Sequence, residues 1–227
     1  MTSTSTQTLL FDLTLTYEQR MNRETMQRFA AAEIRAAAKE ADEAGETPAD
    51  FYRKTTELGL ALLPIPEALG GAGMTRSPVS NVLNAEDLAH GDLAMAMGAL
   101  SPLAFVNTLL DQGTDAQREH YLPQFCTDQF QAATTALMEP RATFEPTELE
   151  CTASRSADGF LLNGRKTMVP LGLDAELILV VAMLADEGPA AFIVEGNPSG
   201  MSRSPESHMG LRTLQLASLC FEDTPLP

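Results

Sequence analysis

Two periods divide the chain. From Thr16 to about Glu43, Tyr17, Met21, Thr25, Phe29, Ala32 and Ala36 recur at three- and four-residue steps. That spacing predicts an amphipathic helix, and the Ala-rich second half favours it. Thr16, followed by Glu18 and Gln19, is placed to cap it. Gly45 to Pro48 closes it, and Pro48 suits the first turn of a second helix through Leu58. The next segment, LGLALLPIPEALGGAGMT, is a connector. Pro64 and Pro66 exclude a regular helix, and Gly70, Gly71 and Gly73 lack the spacing of a phosphate-cradling loop, so they read as a turn. Two helical stretches are predicted between Ser77 and Gln112, with Pro102 expected to kink or split the second. Met95, Met97, Leu100, Leu103, Val106 and Leu110 make that second stretch apolar on more than one face. Core packing explains this more simply than a ligand tunnel. A short capped helix, TDAQREHY, follows.

After about Asp128 the period becomes strand-like. QFQAATTAL, LLNGRKTMV, ELILVVAML, AAFIVEG and TLQLASLCFED read as strands, and Asp158-Gly159 marks a hairpin. No helical crossover separates them, so an antiparallel barrel or sandwich is expected. The fold class is α+β: a polar lead-in over 1–15 with an apolar patch at Leu9-Leu10-Phe11, a helical domain over 16–127 and a β domain over 128–227. In the stretch from Gln129 to Pro170 an apolar strand breaks at Glu139-Pro140 and re-forms as a hairpin. Loops held on strand ends concentrate ligand contacts, so a site is expected there.

Composition narrows the function classes. The 227 residues carry a formal charge of −16. Nucleic acid and anionic membrane surfaces call for a basic face, so neither is an expected partner. Cys126, Cys151 and Cys220 are widely spaced and show no metal-binding pattern, which suggests reduced thiols in a cytoplasmic protein. His90, His120 and His208 are equally scattered, and no metal site is expected. No secretory signal or continuous apolar run of membrane length is apparent.

The order of these segments resembles the acyl-CoA dehydrogenase family from about Leu13 to Pro227. TYEQRMNRETMQRFAAAEI is similar to its first helix, ELGLALLPIPEALGGAGMT to its connector and GTDAQREHYLPQF to the approach to its β domain. LNGRKT, GLR and FEDTPLP are similar to β-domain landmarks. The resemblance implies a helical domain, a β domain and a C-terminal four-helix bundle, the last absent from this chain. It implies FAD held partly by a neighbouring subunit, an acyl-CoA thioester substrate and a homo- or hetero-oligomer. A catalytic Glu removes a proton while hydride passes to the flavin. That Glu belongs to the third domain, so no catalytic residue is assigned here, and Glu139 matches a position with a structural role.

The resemblance places Thr135, Leu137, Met138, Phe144, Met168, Val169 and Pro170 at flavin-binding positions. It places Phe144, Met97 and Leu100 at substrate positions. Several depart from the family pattern. Met138 stands for a hydroxyl residue, Thr143-Phe144 for Gly-Ser, and Met168-Val169-Pro170 for Trp-Ile-Thr. A thioether is only a weak acceptor, and Pro170 removes both a hydroxyl and an N–H. Each lost hydrogen bond to a buried partner costs about 1–3 kcal/mol, so three losses weaken binding by orders of magnitude. Met168 retains the capacity to lay its sulfur on a flavin face. The expectation is an acyl-CoA dehydrogenase-like flavoprotein, incomplete or impaired. The alternative is a non-catalytic subunit or interaction module of a hetero-oligomer that has lost FAD.

Overall fold

The computed structural model describes residues 14–185 and 187–227; the Leu9-Leu10-Phe11 patch lies outside them. Helix α1 (Tyr17–Phe29) starts on the expected cap. The Thr16 hydroxyl accepts from the Gln19 amide at 3.2 Å, and the Gln19 side chain accepts from the Thr16 amide at 3.0 Å. This reciprocal pair satisfies two amides that a helix start otherwise leaves open. A π turn over Ala30–Ile34 joins α1 to α2 (Arg35–Ala44), and Gly45 ends the run in the left-handed conformation. Helix α3 (Phe51–Thr56) is shorter than the sequence suggests, and α4 (Pro78–Ala89) opens on a Ser77 cap.

Between α3 and α4 the connector folds on itself. Met74 donates to the Leu63 carbonyl and Gly73 to the Ile65 carbonyl, both at 2.8 Å. A Cβ on Gly71 would lie 2.1 Å from the Ile65 carbonyl oxygen. The glycine cluster is therefore the tight turn that its spacing implied.

Helix α5 (Leu93–Gln112) is not split at Pro102 but continues through it as one helix. Pro102 is buried, and residues on both sides, from Met95 to Leu109, are locked into core clusters. Tertiary packing thus offsets the hydrogen bond that proline removes. The helix has the length and mean hydropathy, 1.7, of a membrane-crossing helix, yet half of that window is buried inside the fold. It is built here as a core helix. Helix α6 (Asp115–Tyr121) carries a second Thr–Gln capping box.

The β half is one curled sheet of seven strands: β1 (Ala133–Ala136), β2 (Thr152–Ser156), β3 (Gly159–Val169), β4 (Leu177–Leu184), β5 (Gly188–Glu195), β6 (Met201–Pro205) and β7 (Ala217–Leu226). The expected antiparallel sheet is in fact mixed. Along one edge, β4 pairs in parallel first with β1, from Leu177 to Val180, and then with β2, at Met183 and Leu184. Its other edge pairs antiparallel with β5. The crossover from β1 to β4 is made by the β2–β3 hairpin, not by a helix. The turn of that hairpin is Ala157-Asp158, one residue before the expected Asp158-Gly159, and Gly159 opens β3 opposite Ser156.

Strand β4 also joins the two halves. Ile178, Val180, Ala182 and Leu184 face the β core. Leu177 and Leu179 face the opposite way, against Phe105, Leu109 and Phe125 of the helical half. Period-2 alternation therefore serves two cores at once.

Gly71→Ala forces its new methyl into backbone and is expected to destabilise by about 1–3 kcal/mol. Gly210→Ala, where nothing lies within 4 Å of the added Cβ, is expected to be near neutral. Urea unfolding of both variants checks this.

Candidate functional site

The site is built where β1 and β3 end. After β1, Glu139 turns inward before Pro140, and its carboxylate is sealed. It accepts from the Glu150 amide at 2.7 Å and the Cys151 amide at 2.9 Å. It also meets the Lys166 ammonium at 2.8 Å, with side-chain exposures of 1% for Glu139 and 0% for Lys166. Lys166 donates in addition to the Leu137 carbonyl at 3.0 Å. Burial alone would push the Glu139 carboxyl up. The Glu150 and Cys151 amides and the Lys166 ammonium outweigh it and hold the group below its ordinary value.

This clamp fixes neighbouring side chains. The Thr167 amide donates to the Met138 carbonyl at 2.9 Å, so Met138 and Met168 emerge on adjacent chains, each 40% exposed. Met168 has φ +52°, in the left-handed region. Glu206, at the end of β6, holds it there. Its carboxylate accepts from the Met168 amide at 3.1 Å and from the hydroxyls of Thr167 and Ser218, and it meets His208 Nε2 at 3.1 Å. Burial raises the Glu206 carboxyl, but these donors together hold it below its usual range. Sequence reasoning missed Glu206 because its partners at Thr167 and Met168 lie far away along the chain.

The other expected positions divide. Thr135 lies on β1, and its hydroxyl is sealed from the surface without a partner among the described residues. Leu137 is half-buried beside Met138. Val169 is 1% exposed and belongs to the β core, so its side chain is not presented to a ligand. Pro170 is half-buried next to Leu171. Phe144 sits apart, on the loop after Pro140, with the Arg141 guanidinium 5.8 Å from its ring centroid. That guanidinium also donates to the Glu145 carbonyl at 3.0 Å and to the Glu148 carbonyl, so the loop is closed by its own side chain. Met97 is 37% exposed and Leu100 packs on the helical core. Both lie within a turn of Ser101, whose hydroxyl donates to the Ala133 carbonyl at 2.9 Å and docks α5 on β1. Among the described residues no His, Cys, Asp and Glu cluster could hold a metal.

The donor set decides how well an isoalloxazine fits. The amides of Thr167, Met168, Leu171 and Gly172 are all bound within the chain. Pro170 has no amide proton, and the one hydroxyl among the expected flavin positions, on Thr135, is sealed. Thioethers supply no N–H or O–H. At the expected flavin positions Met138, Met168 and Pro170 thus present no side-chain N–H or O–H.

Because the folded Glu139 carboxyl is more acidic than its ordinary value of 4.5, the clamp's stabilisation is complete above about pH 4.5. It is lost as pH falls through the folded value. Glu139→Gln leaves Lys166 buried and unpaired, with an expected loss of about 3–5 kcal/mol at neutral pH and a flatter acid limb. Glu139→Gln combined with Lys166→Met is expected to recover part of that loss. Urea unfolding across pH 3–7 measures both, with the pH range chosen to bracket carboxyl titration.

Comparison with known proteins identifies the family and the fold. The profile of the acyl-CoA dehydrogenase N-terminal domain matches residues 16–129, and that of the middle domain matches residues 134–224. The mitochondrial isovaleryl-CoA dehydrogenase of Pongo abelii is 30% identical over 224 residues, covering 94% of this chain and 52% of that protein. The acryloyl-CoA reductase (NADH) of Anaerotignum propionicum is 30% identical, covering 95% and 56% respectively. The structure of butyryl-CoA dehydrogenase from Megasphaera elsdenii superposes with a TM-score of 0.83 at 26% identity, over 96% of this chain and 58% of that one. The chain spans about half the length of the curated relatives it matches. With both domain profiles matched in order along nearly all of its length, the chain belongs to the acyl-CoA dehydrogenase family.

Proposed function

We propose that this chain is an acyl-CoA dehydrogenase-like flavoprotein whose class carries out FAD-dependent α,β-desaturation of acyl-CoA thioesters, and that it is impaired at the cofactor as it stands. The supporting observation is the contrast between a kept frame and a lost donor set. The Glu139–Lys166 clamp and the Met138–Thr167 bond hold the site's backbone in place. The side chains presented there are Met138, Met168 and Pro170. An acyl-CoA thioester is the ligand class in this reading, with Met97 and Leu100 on the helix docked against β1 and Phe144 on the neighbouring loop.

A second reading is a non-catalytic subunit or interaction module within a hetero-oligomer. The observation favouring it is apolar surface on the helical half: Val79 at 54%, Val82 at 60%, Leu93 at 52% and Met97 at 37% exposure. These four sit on α4 and α5, which pack together, and apolar groups exposed on packed helices are the kind of surface an association covers. Size-exclusion chromatography with light scattering is expected to show association; a stable monomer would count against this second reading.

Flavin uptake tests the impairment. Purified chain mixed with FAD and desalted is expected to retain well below one equivalent by visible absorbance. Met138→Thr with Pro170→Thr is expected to raise the affinity about tenfold or more, as restored hydrogen bonds predict. Stoichiometric flavin on the unaltered chain would sink the proposed impairment.

A further inference from the structure

The segment between β1 and β2, residues 137–151, contains neither helix nor strand. Its two ends are fixed by one carboxylate, because Glu139 accepts from the amides of Glu150 and Cys151. Buried Leu149 anchors the return. The stretch from Arg141 to Glu148 lies between these anchors, away from the sheet, and needs ties of its own. Compact surface loops whose ends lie close are packed by their own side chains.

Arg141 supplies that packing. One terminal nitrogen of its guanidinium donates to carbonyls four and seven residues ahead, those of Glu145 at 3.0 Å and of Glu148. The other lies 3.9 Å from the Glu150 carboxylate, and the Phe144 ring centroid is 5.8 Å from the guanidinium carbon. The side chain is 23% exposed although the backbone around it runs over the surface. The guanidinium therefore joins the outgoing arm of the loop, its tip and its returning arm.

This task suits arginine and not lysine. A planar fork can bond two carbonyls and lie beside an aromatic ring at once, whereas an ammonium is a point charge on a flexible stem. The loop holds no other cation, and Glu145, Glu148 and Glu150 are exposed around it. The charge of Arg141 is thus answered from within the loop and is not free for an anionic ligand.

We propose that Arg141 is a positioning residue. It closes the loop in the free chain and so sets Phe144 in place before an acyl thioester arrives. This rests on the acyl-thioester reading above, in which the loop of Phe144 borders the ligand. Binding then does not have to order that loop, a cost that otherwise falls on affinity for each side chain fixed.

The test is calorimetric titration of butyryl-CoA into the full chain and its variants, with hydrogen exchange of the loop amides followed by mass spectrometry. Arg141→Ala is expected to speed exchange across residues 142–148 and to weaken butyryl-CoA about fivefold, the cost of ordering one large side chain. Arg141→Lys keeps the charge and is expected to weaken it nearly as much; it decides alone if Arg141→Ala fails to fold. Phe144→Ala is also expected to weaken binding. Adding Arg141→Ala to it is expected to cost little more, because the arginine acts through the ring. A merely structural loss would add in full. Unchanged exchange or affinity in Arg141→Ala, or a full further loss in the Phe144→Ala background, would overturn the positioning role and leave the acyl-thioester reading standing. Butyryl-CoA that fails to bind the unaltered chain would overturn both.

Discussion

The β half depends on one buried ion pair. Glu139 and Lys166 have both left water completely, a step whose cost is recovered only if every remaining donor and acceptor is filled. Here both carboxylate oxygens and two of the three ammonium donors are engaged from three directions: the Leu137 carbonyl on the way out of β1, the Glu150 and Cys151 amides on the way into β2, and β3 itself, which carries Lys166. Because each contact comes from a different segment, no one strand can shift register without unpairing a buried charge. Gly164, two residues before the lysine, has φ +128°, and a Cβ on it would lie 2.7 Å from the Cys151 Cα. The glycine lets β3 approach the segment that feeds the clamp its amides. The positions of Met138 and Met168 follow from this frame and not from their own chemistry. The clamp thus sets the path of the site's backbone whatever side chains that backbone carries.

A second constraint concentrates beside it. Of the five described non-glycine residues with positive φ, four are Met168, Leu171, Leu211 and Gln215. The two turns that hold them are bonded together, the Leu171 amide donating to the Leu214 carbonyl at 3.1 Å. Such conformations cost about 1–2 kcal/mol each for side chains with a Cβ. Glu206, with four partners, and the cluster of Ala94, Leu214 and Leu216 that ties this region to α5 supply the contacts that hold them. Backbone strain gathered in one place, and braced from both domains, is characteristic of functional sites.

The sequence made some of this legible and hid the rest for identifiable reasons. Thr16 with Gln19 announced the first helix because a capping box is a local signal. Strands β3, β4, β5 and β7 showed themselves through apolar content. Strand β2, Thr152–Ser156, and strand β6, Met201–Pro205, did not, since only Ala153 in the first and Met201 in the second are buried. The parallel pairing of β4 was hidden because a hairpin, and not a helix, makes the crossover. Pro102 did not split α5, because its neighbours' burial outweighs a local preference. At the site, family position pointed to Met138, Met168 and Pro170. The hold of Glu206 on Met168 spans 38 residues and leaves no local signal.

Strand β4 has a consequence for how the protein folds. Its even-numbered residues complete one core and Leu177 and Leu179 complete another, while its two edges bind three other strands. Its partner β1 precedes it by some forty residues, so loop closure must come before most of the reward for pairing. The helical half, although continuous in sequence, therefore gains one wall of its core only after the chain has been made well into the β half. Synthesis from the N-terminus leaves Phe105, Leu109 and Phe125 waiting for a strand that arrives late. The two halves are distinct in architecture, but they mature as a single cooperative unit.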